Sequence, residues 1–247
     1  MLVFSKTSHQ NNRISPQIAR ALYFSDEIYV GYVHGGQIEV IAPDPLLGPI
    51  FYLIEFPSAG SPPRAVRDPS CLSCHANART EGVPGMLVRS VVPGADGRPI
   101  LRLGTHLTTH SSPLEERWGG WYVTGTHDGA LHMGNMTTTE ADGTLDMEAG
   151  ANWTSLEGKI DTSRYLLPTS DILALMVLEH QCRMHNLLTR ASLREILLEN
   201  GGGEDFSHIG PQERRRIADI LEGGLVELHL VVTIDHDFHL VGECERN

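Results

Sequence analysis

Tyr29-Val-Gly-Tyr-Val-His34 and Gln37-Ile-Glu-Val-Ile-Ala42 stand on either side of Gly35-Gly36. Two short runs of β-branched and aromatic residues joined by a glycine pair predict a β-hairpin closed by a two-residue turn. The same punctuation recurs twice further along. Met86-Leu-Val-Arg-Ser-Val-Val92 and Pro99-Ile-Leu-Arg-Leu103 flank a turn containing Asp96-Gly97, and Trp121-Tyr-Val-Thr-Gly-Thr126 faces Ala130-Leu-His-Met-Gly-Asn-Met136 across Asp128-Gly129. Pro49-Ile-Phe-Tyr-Leu-Ile-Glu-Phe56 is a further strand, with apolar residues at both alternation phases and hence burial on both faces. Together these signals predict a mainly antiparallel sheet of six or seven strands. The four prolines between Pro57 and Pro69 read as an irregular loop.

Beyond the polar stretch from Thr137 to Gly158 the period changes. Pro168-Thr-Ser-Asp171 predicts a helix start, with Ser170 as N-cap and Asp171 in the first turn. Leu173, Val177, Met184, Leu187 and Leu188 form an apolar stripe at helical spacing, the expected core face. The helix is expected to run to Asn200, or to break near Ala191, before Gly201-Gly-Gly203. A second helix opens at Pro211 and ends at Gly223-Gly224, followed by a His-rich, β-branched tail. The expected class is therefore α+β, with a β-rich region over residues 1–166 and a helical region with a short tail over 167–247.

Composition narrows the function classes. The chain has 247 residues with 19 Lys+Arg against 31 Asp+Glu, a net charge of −12, so it lacks the basic footprint that phosphate backbones require. With 40% hydrophobic and 20% charged residues it is composed like a folded protein. No run reaches the roughly 18 uncharged apolar residues of a membrane helix.

The chemistry concentrates at Cys71-Leu-Ser-Cys-His75, a C-x-x-C-H pattern. In covalent haem attachment two thiols add across the two vinyl groups and the adjacent imidazole lies under the iron. The pattern therefore predicts one covalent haem c on Cys71 and Cys74, with His75 as its proximal ligand. Two rivals use the same thiols. Zinc would need a second half-site, and the remaining cysteines, Cys182 and Cys244, stand alone. A thioredoxin-like pair expects to open a long helix, whereas Gly82 and Pro84 follow soon after. A chance match is the third.

A Met or His opposite His75 would make the iron six-coordinate, while an open site would admit a small ligand or peroxide. In an extended third hairpin His132 and Met136 share a face, so they are the preferred candidates over Met86, His106 and His110. Core packing is the ordinary use of such residues. Arg64, Arg67 and Arg79 flank the motif and can pair with haem propionates, or remain solvated. Trp118 and Trp121 bracket a Gly-Gly pair and can stack on a macrocycle, or form an aromatic core strand. Glu179, His180, Cys182, Met184 and His185 invite a metal reading, but His180 and His185 are about 140° apart around a helix axis.

By its C-x-x-C-H the chain resembles the c-type cytochromes. The wider run resembles an uncharacterised bacterial cytochrome-c-like family. The likeness is carried by Ile14-Ser-Pro16 with Arg20-Ala-Leu-Tyr-Phe24, the C-x-x-C-H, Pro84-Gly-Met-Leu-Val-Arg-Ser-Val91, Arg117-Trp-Gly-Gly-Trp-Tyr-Val-Thr-Gly-Thr-His127 and Leu178-Glu-His-Gln181, roughly residues 4 to 190. The layout is also similar to haem-c sensor domains in which the motif decorates a PAS-like α+β fold. The resemblance implies haem and leaves the reaction open. The leading expectation is a monohaem cytochrome passing single electrons to or from a redox partner with a basic docking surface. A haem-based redox or gas sensor and a peroxidase-like oxidoreductase are the alternatives. Haem c implies a periplasmic or other extracytoplasmic location, and the absence of an apolar leader after Met1 predicts a trimmed chain or a segment of a longer exported protein.

Overall fold

The computed structural model describes residues 1–57, 61–139 and 141–199. Among the described residues there are nine strands: β1 (Leu2–Val3), β2 (Arg20–Phe24), β3 (Tyr29–Tyr32), β4 (Ile38–Asp44), β5 (Gly48–Glu55), β6 (Arg64–Arg67), β7 (Arg89–Val91), β8 (Thr105–Leu107) and β9 (Trp121–Tyr122). Two four-residue helices, α1 (Leu72–His75) and α2 (Met147–Gly150), precede the long helix α3 (Ile172–Glu199). Seven strands form one antiparallel sheet in the order β6-β5-β4-β3-β2-β1-β9, and β7 pairs with β8 separately. The class is α+β with a mainly antiparallel sheet, as expected.

Sheet register sorts the side chains into two cores, because directly paired residues share a face and neighbours along a strand do not. Trp121, Val3, Arg20, Leu22, Gly31, Glu39, Leu53 and Val66 follow one another across the sheet on one face. That face meets α3: Val3, Tyr29 and Trp121 pack with Ile172, Leu175, Leu178 and Cys182. On the other face Leu2, Ala21 and Tyr122 pack with Leu156 and the partly buried Trp153 and Tyr165. Helix and sheet thus share one core, and the described residues on both sides of the expected 166/167 boundary lie in one compact unit.

The first hairpin forms, but with a longer turn than its glycine pair suggests. Tyr32 pairs with Ile38, so the chain reverses through Val33–Gln37, with Gly36 N–H donating to the Val33 carbonyl at 2.8 Å. The second hairpin is interrupted. Its turn forms around Asp96-Gly97, yet Leu101–Leu103 coils into a 3-10 turn, and Thr105–Leu107 supplies the partner of Arg89–Val91. The third does not form. Trp121–Tyr122 pairs with β1 instead, and 130–136 folds into turns held by the Asn135 side chain, which bonds both the N–H and the C=O of Val123. Arg64–Arg67 corrects the expectation of an irregular loop: its four residues stand in register with Tyr52–Glu55 of β5 despite the flanking prolines.

Helix α3 differs most from expectation. Asp171, not Ser170, caps it, accepting from Ala174 N–H at 2.9 Å. Ser170 instead accepts from Leu2 N–H and donates its own N–H to Thr124. The expected core stripe faces outward: Leu173 is 67% exposed and Leu188 58%, while Leu175 is fully buried. Both sides of the helix are apolar, so spacing alone selected the wrong one. The helix is unbroken at Ala191. The second helix at Pro211, the His-rich tail and Cys244 lie outside the described residues.

Candidate functional site

Asp68-Pro69 starts the segment that holds the motif. Asp68 Oδ1 accepts from Ser70 N–H at 3.0 Å and from its hydroxyl at 2.6 Å, and Pro69, with its φ already helical, takes the first helical position. The 3-10 turn Pro69–Cys71 passes directly into α1. Residues three and four apart on a helical turn are neighbours, so Cys71 is brought beside Cys74 and His75. Both thiols are free; Cys71 is half-buried and Cys74 exposed. Burial and the nearby Asp68 and Glu39 carboxylates push the Cys71 thiol up to about 11. That is opposite to the lowered thiol a redox-active pair needs, and it disfavours the thioredoxin-like reading.

His75 is oriented from below. Its Nδ1 lies 2.9 Å from the Gly85 carbonyl. A carbonyl only accepts, so Nδ1 carries the hydrogen and Nε2 keeps its lone pair. Gly85 N–H returns a bond to the His75 carbonyl at 2.8 Å. The ring packs against Phe51 of β5 at 4.8 Å, and burial holds its pKa below the ordinary imidazole range, keeping it neutral.

The loop carrying Gly85 is fastened at three points. Asn77 and Thr80 form a capping box, with Asn77 Nδ2 also donating to the Cys74 carbonyl at 2.7 Å. Glu81 pairs with Arg183 and, at 2.7 Å, with Arg190, both on α3. Asn186 of α3 accepts from Met86 N–H at 2.7 Å and donates to its carbonyl at 2.8 Å. Gly85 must be small: a Cβ there would stand 2.7 Å from Asn186 Oδ1 and 2.8 Å from Thr80 Cβ. Phe51, Glu81, Asn186 and the half-buried Arg20–Glu39 pair, whose charges both act on His75, were not found from sequence. Of the stretch Pro84-Gly85-Met86, Gly85 entered only through the resemblance. Asn186 carries no local signal at all.

The other sequence candidates are dispersed. His132 is buried with its ring edge-on to Trp118 at 5.5 Å and tilted against His127 at 4.8 Å; its Nδ1 accepts from Gly134 N–H. Its segment lies along Trp118–Val123, beyond β9. Strands β9 and β5 are five steps apart in the sheet, roughly 24 Å at the usual strand spacing. Helix α3 bridges the same span: Ile172 bonds Thr124 beside β9, Thr189 packs on Gly48 of β5, and the stretch between them advances roughly 26 Å. The structure therefore does not bring His132 to His75, and the shared strand face expected of His132 and Met136 does not exist. Met136 packs beside Gly150. Met86 is core, His110 contacts His180 at 3.2 Å, and His106 faces Glu116 at 3.4 Å.

Trp118 and Trp121 are core residues. Trp118 takes φ +63° and donates to Glu179 at 3.2 Å; Trp121 donates to the Arg89 carbonyl at 2.8 Å. Gly119 between them passes so close to the Val91 carbonyl that a Cβ would collide with it. Arg64 shares the Phe51 face and pairs with Glu55 at 3.4 Å, whereas Arg67, one strand position from Val66, lies on the opposite face. Arg79 is exposed. On α3, Cys182 is buried in the core, His180 turns outward to His110, and His185 packs toward Tyr29 at 6.0 Å. Among the described residues no group of three or more His, Cys, Asp or Glu side chains is arranged to hold a metal ion.

No helix among the described residues is long and apolar enough to cross a membrane. Compared with known proteins, the chain matches no family model, no curated protein and no solved structure.

Proposed function

We propose that this chain carries one haem c, bonded through Cys71 and Cys74 and ligated by His75, and that it transfers single electrons. The observation that carries the reading is the His75 Nδ1–H bond to Gly85 at the end of the C-x-x-C-H turn. A ligating imidazole ordinarily donates its other N–H to a carbonyl or carboxylate, which fixes its tautomer and raises its basicity. The residues fit the group in other respects. The thiols are free, and Cys74 is open to solvent. Asp68, the Asn77–Thr80 box and Asn186 hold the turn and its loop in place.

Bound haem would supply a one-electron couple; the chain supplies position and polarity. Phe51 gives the His75 ring an apolar wall, and the Arg20–Glu39 pair sets opposite charges nearby. Arg64, on the same sheet face as Phe51 though paired with Glu55, would be the flanking arginine available to a propionate. The −12 charge of the chain favours a partner with a basic docking surface. Haem c is ordinarily attached outside the cytoplasm, so the reading carries an extracytoplasmic location with it.

The test is expression with the haem c maturation machinery, followed by acid-acetone extraction and a pyridine haemochrome spectrum. One haem per chain should resist extraction, and Cys71→Ser with Cys74→Ser should lose it. Release of all haem by extraction would end the proposal. Reduced-minus-oxidised spectra with added CO and cyanide then test electron transfer: low-spin iron that refuses both ligands supports it, and ready binding of either favours the sensor or peroxidase-like alternative.

A further inference from the structure

His110 and His180 lie 70 positions apart in the chain, yet their Nδ1 atoms stand 3.2 Å from one another. The rings are tilted by 59° with centroids 4.9 Å apart, so the nitrogens approach without the rings stacking. Both residues are exposed. The metal reading that α3 invited from sequence set His180 beside ligands of its own helix. Its partner comes instead from the turn 109–112.

That turn is built to hold His110 in place. Ser112 N–H donates to the Thr109 carbonyl at 3.0 Å, and Thr109 N–H donates to Ser112 Oγ at 3.0 Å. Arg117 reaches across from the protein side. Its Nη2 donates to the His110 carbonyl at 3.1 Å, its Nε to the Ser112 carbonyl at 2.9 Å, and its Nη1 to Glu179. Glu179 is buried and directly precedes His180 on α3. A buried ion pair adds little net stability, because desolvation offsets its attraction, and its best-attested use is to fix one arrangement. Here the arrangement it fixes is the approach of the two imidazoles.

The distance between them selects an occupant. Two nitrogens on a tetrahedral ion at the usual Zn–N length stand about 3.3 Å apart, whereas adjacent ligands of a square-planar ion at that length stand about 2.9 Å apart. The observed 3.2 Å is nearer the tetrahedral span. Without an ion the contact needs unlike tautomers, with Nδ1–H on one ring and a bare Nδ1 on the other. With an ion both Nδ1 atoms give lone pairs, and both Nε2 atoms keep hydrogens that water at this exposed surface accepts. The −12 charge of the chain favours a cation. We infer that His110 and His180 form a two-imidazole site for Zn2+, with its remaining positions open to water. The inference is independent of haem.

Calorimetric titration of the full chain with Zn2+ tests the site. Wild type should bind one equivalent more than His110→Gln, His180→Gln or the double variant. His34→Gln, which alters an exposed histidine elsewhere, should keep that equivalent. Other thiols and histidines contribute alike to every variant, so the difference isolates the pair. Metal-free melting should barely change in the variants, and Zn2+ should raise the midpoint of wild type above that of the double variant. Equal Zn2+ stoichiometry in wild type and the double variant would overturn the inference, leaving a hydrogen-bonded pair only. If a variant fails to fold, wild type decides alone. In long-range 1H–15N spectra at saturating Zn2+, both Nδ1 atoms should shift together and both rings should become the Nε2–H tautomer. Rings of His110 and His180 that keep unlike tautomers under Zn2+ would overturn the inference as well.

Discussion

The imidazole of His75 donates from Nδ1 to the carbonyl of Gly85, 2.9 Å away, while Gly85 N–H returns a bond to the His75 carbonyl. Nine residues, 76–84, separate the two, and α3 holds that loop through Asn186 and through the arginines on Glu81. The orientation of a side chain in the C-x-x-C-H turn is thus set by a helix more than a hundred residues later.

Gly85→Val should destabilise the fold by about 1–3 kcal/mol, since the added side chain meets Asn186 and Thr80 at contact distances that require displacement. Urea denaturation reads the change. Gly82→Ala is a useful contrast: nothing stands within 4 Å of a Cβ there, so only its φ of +81° opposes substitution.

Asn186→Ala removes two hydrogen bonds and leaves the buried Met86 N–H and C=O without partners, costing about 2–4 kcal/mol. Asn186→Asp keeps an acceptor for the N–H and places a carboxylate against the carbonyl, so it should rescue little. Hydrogen exchange of the Met86 amide should accelerate in both variants.

Arg117→Met should be among the most damaging substitutions. Glu179 is buried, with one oxygen on Arg117 and the other accepting from Trp118. Removal of the guanidinium strands a buried carboxylate, at about 3–5 kcal/mol. Glu179→Gln keeps an acceptor for Trp118 and should cost less, and the pair Arg117→Met with Glu179→Gln should be milder than Arg117→Met alone. Thermal melts of the three variants check the order.

Stability should fall as the solution is acidified from about pH 6.5 toward pH 4, in part because of His132. Burial, with the neighbouring His127, lowers its pKa to about 4 from an ordinary 6.5. Between these values the unfolded chain binds a proton that the folded chain refuses, so stability is retained above about 6.5 and lost as pH drops through the window. The contribution is on the order of 3 kcal/mol. His132→Gln should flatten this part of the stability profile measured in urea at stepped pH. An unchanged slope would remove His132 from the account.

The strands at Tyr29–Tyr32, Ile38–Asp44 and Gly48–Glu55 were legible because alternation and β-branched residues are local signals. The helix start near Asp171 and the C-x-x-C-H cluster were legible for the same reason: each depends on residues within one turn of one another. Three decisions belonged to the tertiary structure alone. Which apolar side of α3 faces the sheet could not be read from a helix apolar on both sides, because periodicity carries no sign; the sheet beneath chose Leu175 and Leu178 and left Leu173 and Val177 outside. The third hairpin failed because Trp121–Tyr122 paired with the distant β1, a non-local bond that no turn signal reports. His75 gained its partner and its wall, Gly85 and Phe51, from a loop and a strand brought to it by folding, while His132 was carried beyond the opposite edge of the sheet. Sequence by itself named the reactive residues, since chemistry is a property of side chains. Only the packing of α3 on the sheet decided which of them stand together.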